Sequence, residues 1–314
     1  MRIKTAFAAG LLSITPALTG CLVHKHTVLK THPPDFVLNS TLDNLLAETN
    51  ARYSKLNSMQ LQVEISSSTG GSTQGVVKQS INFTAYIIIG KPENIRVVLL
   101  VPLIRSAALD MVSDGRNFKM LIPPKNCAIV GSDVSLPSQK GLYSLRPAVI
   151  LDSLLIQGRG NEQVVSMTQD SRVVANPHKR KDYIQEPDYD IEFLSQPDGP
   201  VAHTLRVLHI SRVNLLPYRQ DIYNEEGKVA TQAIYSNYEK FGDIEFPTKI
   251  VIQRPLDELG LTIQVERSKA KFNQELPSDE FQLNIPNGTA TQNMDDPVSA
   301  KSNPCVAHET PPQH

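Results

Sequence analysis

The sequence has little cysteine and no marked excess of charge, and both shortages narrow its function. Three cysteines occur in 314 residues, at 21, 127 and 305. None forms a C-x-x-C pair, so redox and zinc chemistry find no support. Lys and Arg number 31 against 32 Asp and Glu, and a nucleic-acid partner would call for a basic face. Beyond the first twenty residues no apolar run approaches the roughly 20 residues of a membrane-spanning helix. There is no G-x-S-x-G, no H-E-x-x-H and no glycine-rich phosphate loop, only the pair Gly70-Gly71 in a Ser/Thr stretch. His24 and His26 lack converging ligands. His203 and His209 sit six apart on a predicted strand and would share a face, but no serine or carboxylate is placed by the sequence pattern to complete a triad. These absences predict no catalytic residue, metal or cofactor: the chain is expected not to be an enzyme.

What is present begins with an export signal. Arg2 and Lys4 precede an uncharged, mostly apolar run from Thr5 to Leu18, closed by Leu18-Thr19-Gly20-Cys21. That ending resembles the bacterial lipobox, in which cleavage after a small residue, here Gly20, leaves a lipid-bearing cysteine, here Cys21, as the first residue. A thiol readily takes a thioether-linked glyceride, and two or three acyl chains such as palmitate anchor far better than one. Leu22 stands where an Asp would be the retention signal of enteric bacteria. The resemblance therefore points to the outer membrane, with the body facing the periplasm from the inner leaflet. Loss of Arg2 and Lys4 with the signal takes the 31 basic residues to 29 against 32 acidic.

Residues 21–38, with Pro33-Pro34 and no apolar period, read as a flexible tether. A body follows over 39–286. Ser40 as cap and Leu42, Leu45, Leu46, Thr49, Tyr53 and Leu56 predict a one-sided helix. A second helix is expected from Pro147 to Gln157, with Ile150, Leu151, Leu154 and Leu155 on one side. Elsewhere alternation predicts strands at 59–65, 81–89, 95–101, 109–111, 118–122 and 127–130. More follow at 162–167, 189–195, 203–213, 218–224, 229–239, 244–254 and 260–270. Asp114-Gly115 marks a hairpin; residues 66–75 and 176–187 (Lys179 and Lys181 among them) read as polar loops. Residues 287–314 read as a disordered polar tail. About 10–11 short strands with few helices give a mainly β, α+β class: a curled antiparallel sheet with helices over one face. Whether Cys127 and Cys305 pair stays open.

The run Ile95 to Met111 (IRVVLLVPLIRSAALDM), extended through Ser113-Asp114-Gly115 to Phe118 and Pro123-Pro124-Lys125-Asn126, resembles the lipoprotein-localisation carriers LolA and LolB. It is more similar to LolA/LolB-like lipoproteins of uncharacterised function. Asp243 to Ile250 and Leu276 to Phe281 fit the same pattern, and the likeness spans residues 39 to 285. The resemblance implies a half-open β-barrel whose concave side, covered by helices, takes acyl chains or lipidated cargo. In LolB a leucine exposed in a Pro-Leu-Gly turn helps pass cargo to the membrane. The matching positions are Pro102 and Leu103, with Ile104 where glycine would stand.

Two readings stay open at each candidate site. Phe83, Ile87, Ile89, Val97, Leu99, Met111, Phe118 and Met120 alternate onto one face, either as ordinary core or as the lining of a lipid cavity. The Pro102-Leu103-Ile104 turn is either exposed for membrane or cargo contact or tucked inward. The expected function is a lipid-anchored binder of acyl chains. The alternative is a scaffold within an outer-membrane assembly complex, holding other envelope proteins and no lipid.

Overall fold

Apolar alternation dictates strands through most of the body. The computed structural model describes residues 29–71, 75–133, 146–160, 162–179, 181–196, 200–296 and 305. The signal peptide, Gly20 and Cys21 lie outside the described residues.

The first half comprises β1 (Thr31–His32), α1 (Leu42–Lys55), β2 (Ser58–Gly71), β3 (Val76–Gln79), β4 (Phe83–Gly90) and β5 (Asn94–Leu100). It continues through β6 (Ala107–Ser113), β7 (Asn117–Ile122), β8 (Cys127–Ser132) and α2 (Pro147–Leu154). The second half runs β9 (Gln163–Ala175), β10 (Tyr183–Ser195), β11 (Thr204–Ser211), β12 (Pro217–Tyr223) and β13 (Val229–Phe241). It ends with β14 (Ile244–Arg254), β15 (Leu259–Val265), β16 (Lys271–Phe272) and β17 (Ala290–Asn293).

All belong to one sheet. Its path is β9-β10-β11-β12-β13-β14-β15-β2-β4-β5-β6-β7-β8-β17, antiparallel except at β8–β17. β2 joins two meanders. One edge takes β4, with Leu61 opposite Ile87, and the other takes β15, with Ile65 opposite Ile263. β9 and β17 end the path without pairing to each other, so the barrel stays open. Gly260 on β15 lets β2 approach closely, because a Cβ there would stand 2.5 Å from Ser68 Oγ.

The sheet curls around α2. Ile150, Leu151, Leu154 and Leu155 are buried against Met59, Leu61, Ile87, Ile129, Ile250 and Ile263. α1 seals a smaller core, where Leu45 meets Tyr189, Ile191, Phe193, Leu208 and Ile210. Its cap is Thr41, whose hydroxyl accepts from Asn44 N at 3.3 Å, rather than the expected Ser40. Pro147 opens α2 as expected. At the Asp114-Gly115 hairpin, Gly115 has φ 84°, and Asp114 Oδ1 accepts from the amides of Arg116 and Asn117.

Several expectations are corrected. Among the described residues the sheet has 17 strands rather than 10–11; four of them, β1, β3, β16 and β17, have only two to four residues and carry no readable period. The Ser/Thr/Gly stretch after Ile65 continues β2 to Gly71, held by pairing with β3 and β15. The loop expected at 176–187 is strand from Tyr183, paired with β9. The tether does not extend to residue 38. Thr31 and His32 pair with β10, and Leu38 N donates to Arg212 O at 2.7 Å. Nor are the described residues of the expected tail, 287–296 and 305, free; the rest of 287–314 lies outside the described residues. β17 lies parallel to β8, Met294 is buried, and Cys305 is bonded to Cys127 with Cα atoms 5.7 Å apart. Short polar segments of this kind dock by backbone pairing and a covalent link, neither of which leaves an apolar period.

Candidate functional site

The two ends of the half-barrel differ. α1 crosses the end where β2, β5 and β14 begin: Arg52 pairs with Glu245 at 2.6 Å, and Tyr53 and Lys55 carbonyls accept from Lys91 and Asn273. The helix lies across that end and leaves a half-open, largely polar-rimmed cleft of about 500 Å³ between Glu48, Arg52 and Lys55 of α1 and Lys240 to Glu245 of the β13–β14 hairpin. At the other end β5 runs into the Val101–Ser106 turn, and there the interior is not filled.

A half-open cavity of about 320 Å³ lies toward this second end. Ile65, Phe83, Val97, Leu99, Leu109, Met111, Met120, Leu261 and Ile263 line it from the sheet, and Ile150 lines it from α2. Its polar part is one serine pair: Ser67 N donates to Ser80 Oγ at 2.8 Å, and the two hydroxyls lie 3.1 Å apart. The volume is about twice that of the ~150 Å³ apolar cavity known to hold benzene. It falls at the small end of ligand sites, which begin near ~300 Å³. An apolar trough with a single polar spot suits a chain of methylenes bearing a polar head.

Of the predicted lining, Phe83, Val97, Leu99, Met111 and Met120 face this space. Ile87, Ile89 and Phe118 do not; they are packed into the core, farther from the open end. Alternation identifies the face of a strand but not how far along it the filling stops. Leu109, Ile150, Ser67 and Ser80 were missed, since their part depends on the neighbouring strands and α2.

The Pro102-Leu103-Ile104 turn is outward. Leu103 is wholly exposed and Ile104 is 75% exposed. Ile104 N donates to Pro102 O at 2.9 Å across Leu103, whose φ is 70°, so the leucine occupies a γ-turn of the rare positive-φ kind. Arg105 also has positive φ, at 58°. Val76, Val77 and Ile81, flanking the same end on and after β3, are exposed as well. Apolar side chains thus ring the open end of an apolar cavity.

A second polar grouping lies on the opposite face of β10–β12. Tyr189, Ile191 and Phe193 face α1, so Asp188 and Asp190 alternate to the other side. There His209 Nδ1 meets Asp190 at 2.6 Å and Nε2 meets Asp221 at 3.4 Å; Arg219 also pairs with Asp221. Sequence spacing hid these carboxylates because each comes from a neighbouring strand. Burial pushes His209 down, but the bonds to Asp190 and Asp221 outweigh it and carry the pKa up to about 9. Burial pushes Asp221 up, and His209 and Arg219 more than reverse it, to about 2. Asp188, Asp190 and His209 are close enough to share a cation. With a proton held on His209 and both ring nitrogens engaged, the grouping acts instead as an internally neutralised ion network.

An open, curled sheet with an internal helix and an apolar cavity at one end defines a half-open β-barrel, and comparison with solved structures agrees. An outer membrane lipoprotein-sorting protein domain from Vibrio parahaemolyticus matches at a TM-score of 0.50 with 10% identity, over 76% of this chain and 95% of that one. A DUF1329 family protein from Desulfovibrio piger matches at 0.50 with 15% identity, over the same shares. A LolA superfamily protein from Nitrosomonas europaea aligns at 0.47 with 16% identity, over 78% of this chain and 99% of that one. A family model described as that of an uncharacterized protein matches residues 169–285. No curated protein matches the sequence. The two matches at 0.50 establish the fold.

Proposed function

We propose that this protein is a non-enzymatic, lipid-anchored carrier of the cell envelope. It is held through Cys21 in the inner leaflet of the outer membrane and takes the acyl chain of a lipid or lipidated protein into its cavity. The observation that carries this reading is the coincidence of an unfilled apolar cavity with exposed, strained apolar side chains at its open end. Burying a leucine or isoleucine side chain yields ~1.5–3 kcal/mol, which this turn forgoes until something covers it. The lipoprotein-sorting description of the Vibrio parahaemolyticus neighbour supports the envelope location. Uptake needs no covalent chemistry: the chain enters by burial of apolar area and leaves when a more apolar acceptor is presented.

The cavity is small and most of the interior is packed, which favours the second reading, an envelope scaffold holding no lipid. Native mass spectrometry of the mature chain mixed with a palmitoylated peptide tests both. The carrier reading expects a 1:1 complex that the unacylated peptide does not form. Absence of that complex, with a stable protein partner recovered from detergent extracts, would establish the scaffold instead.

A further inference from the structure

The chain enters the fold at the end opposite the cavity opening. β1 is parallel to β10, with Thr31 beside Tyr183, so the backbone of Leu29 and Lys30 runs back past Tyr183 toward Asp182 and the tip of the β9–β10 ribbon. Tyr183 to Pro187 pair only with β9 on the antiparallel side, so this ribbon projects past the end of β11. Eight successive antiparallel pairings lead from β10 to β5. In a sheet wrapped around α2, the two strands therefore point the same way along the barrel. The start of β10 and the end of β5 are at opposite ends.

The entry end has its own surface character. Lys30, Lys179 and Lys181 are exposed there, and so are Leu29 and Phe36, at 62% and 61%. Of the acidic groups nearby, Asp182 is engaged by His32 at 2.9 Å and by Asn176, leaving Asp35 exposed. Lysines interleaved with exposed apolar side chains match an anionic lipid surface, since the cations meet headgroup phosphates while the apolar groups enter the interface.

Chain length adds a constraint. The eight residues from Cys21 to Leu29 reach at most about 28 Å fully extended. Ala85 stands opposite both Val63 and Leu99, so β5 leaves the sheet about level with Ile65, seven residues along β2 from Ser58, or roughly 23 Å. A short leash that starts at the entry end therefore favours contact there over contact at the far end.

We propose that the protein stands on its own anchoring membrane through Lys30–Phe36 together with Lys179, Lys181 and Asp182, touching anionic phospholipid, with the cavity opening and Leu103 held away from that bilayer. This deepens the carrier reading and rests on acylation of Cys21. The cavity then receives cargo from the side facing away from the membrane. Delivery into the anchoring bilayer requires the protein to tip, instead of inserting its turn at rest.

Fluorescence quenching tests this on the full acylated protein in vesicles of phosphatidylethanolamine and phosphatidylglycerol containing spin-labelled lipid. An environment-sensitive dye is attached through Phe36→Cys or, separately, Leu103→Cys. The expected result is quenching at 36 at least three-fold stronger than at 103, falling when Lys30, Lys179 and Lys181 are all changed to Glu. Equal or stronger quenching at 103 overturns the orientation, and so does a floating protein quenched at neither site. Protein that fails to float with the vesicles refutes the acyl anchor itself, a separate failure read from the same gradient.

Discussion

Leu103 is held at φ 70° with its side chain in water, and both facts cost free energy. A left-handed conformation costs a non-glycine residue ~1–2 kcal/mol, and strain of this kind collects where a function requires it. Leu103→Gly is therefore expected to raise the melting temperature by a few degrees while slowing handover of an acylated peptide to vesicles several-fold. Thermal melting and a vesicle transfer assay check the two halves. A lower melting temperature would mean that the leucine is a structural contact. His209 is the opposite case, a residue whose partners are buried with it. His209→Ala leaves Asp190 and Asp221 without their shared cation and is expected to cost about 3 kcal/mol in urea unfolding. Its folded pKa lies above the unfolded value of 6.5. The stability it adds is full below about pH 6.5 and disappears as pH rises through 9. Wild-type protein should thus lose stability across that window, and His209→Gln should lose less. The turn was legible in the sequence because Pro-Leu-Ile between two strands is a local pattern. The ion network was not: Asp190, His209 and Asp221 are brought together only by the register of three strands.

At the scale of elements, the least expected piece is the last. β17 is four residues long, with Gln292 inward, and it lies parallel to β8 instead of joining a hairpin. Few side-chain contacts favour it, so its attachment depends on the backbone ladder and on the link from Cys305 to Cys127, 178 residues apart. Cys305→Ser is expected to lower stability by ~2–4 kcal/mol. Hydrogen exchange should show amide protection lost on β8 and β17 and retained on β10 through β15. Uniform loss across the sheet would contradict a local role. The contrast with β13 and β14 shows what made elements readable. Both are long, alternate over much of their length and are paired on each side, and their predicted spans agree with the observed Val229–Phe241 and Ile244–Arg254 to within two residues. β1, β3, β16 and β17 have too few residues for any period, so partners elsewhere in the chain decide them.

For the whole molecule, the arrangement is a half-barrel crossed at one end by α1 and incompletely filled at the other. The curl follows from β2 being paired on both edges and from α2 lying inside, against β5, β6, β13 and β14. Sequence alternation conveyed that one face was apolar. It could not convey that a space beside Ile150 of α2 stays unfilled, because that depends on how a helix sits against strands distant in sequence. The central claim is that this unfilled part is a seat for an acyl chain. Titration of the mature chain with a fluorescent fatty acid, beside Leu99→Trp, tests it most directly, since a tryptophan there occupies the cavity without touching the exposed turn. Saturable 1:1 binding to the wild type is expected, weakening at least ten-fold in Leu99→Trp, with melting temperatures within a few degrees. Equal binding by both proteins, or no saturable binding by the wild type, would contradict it.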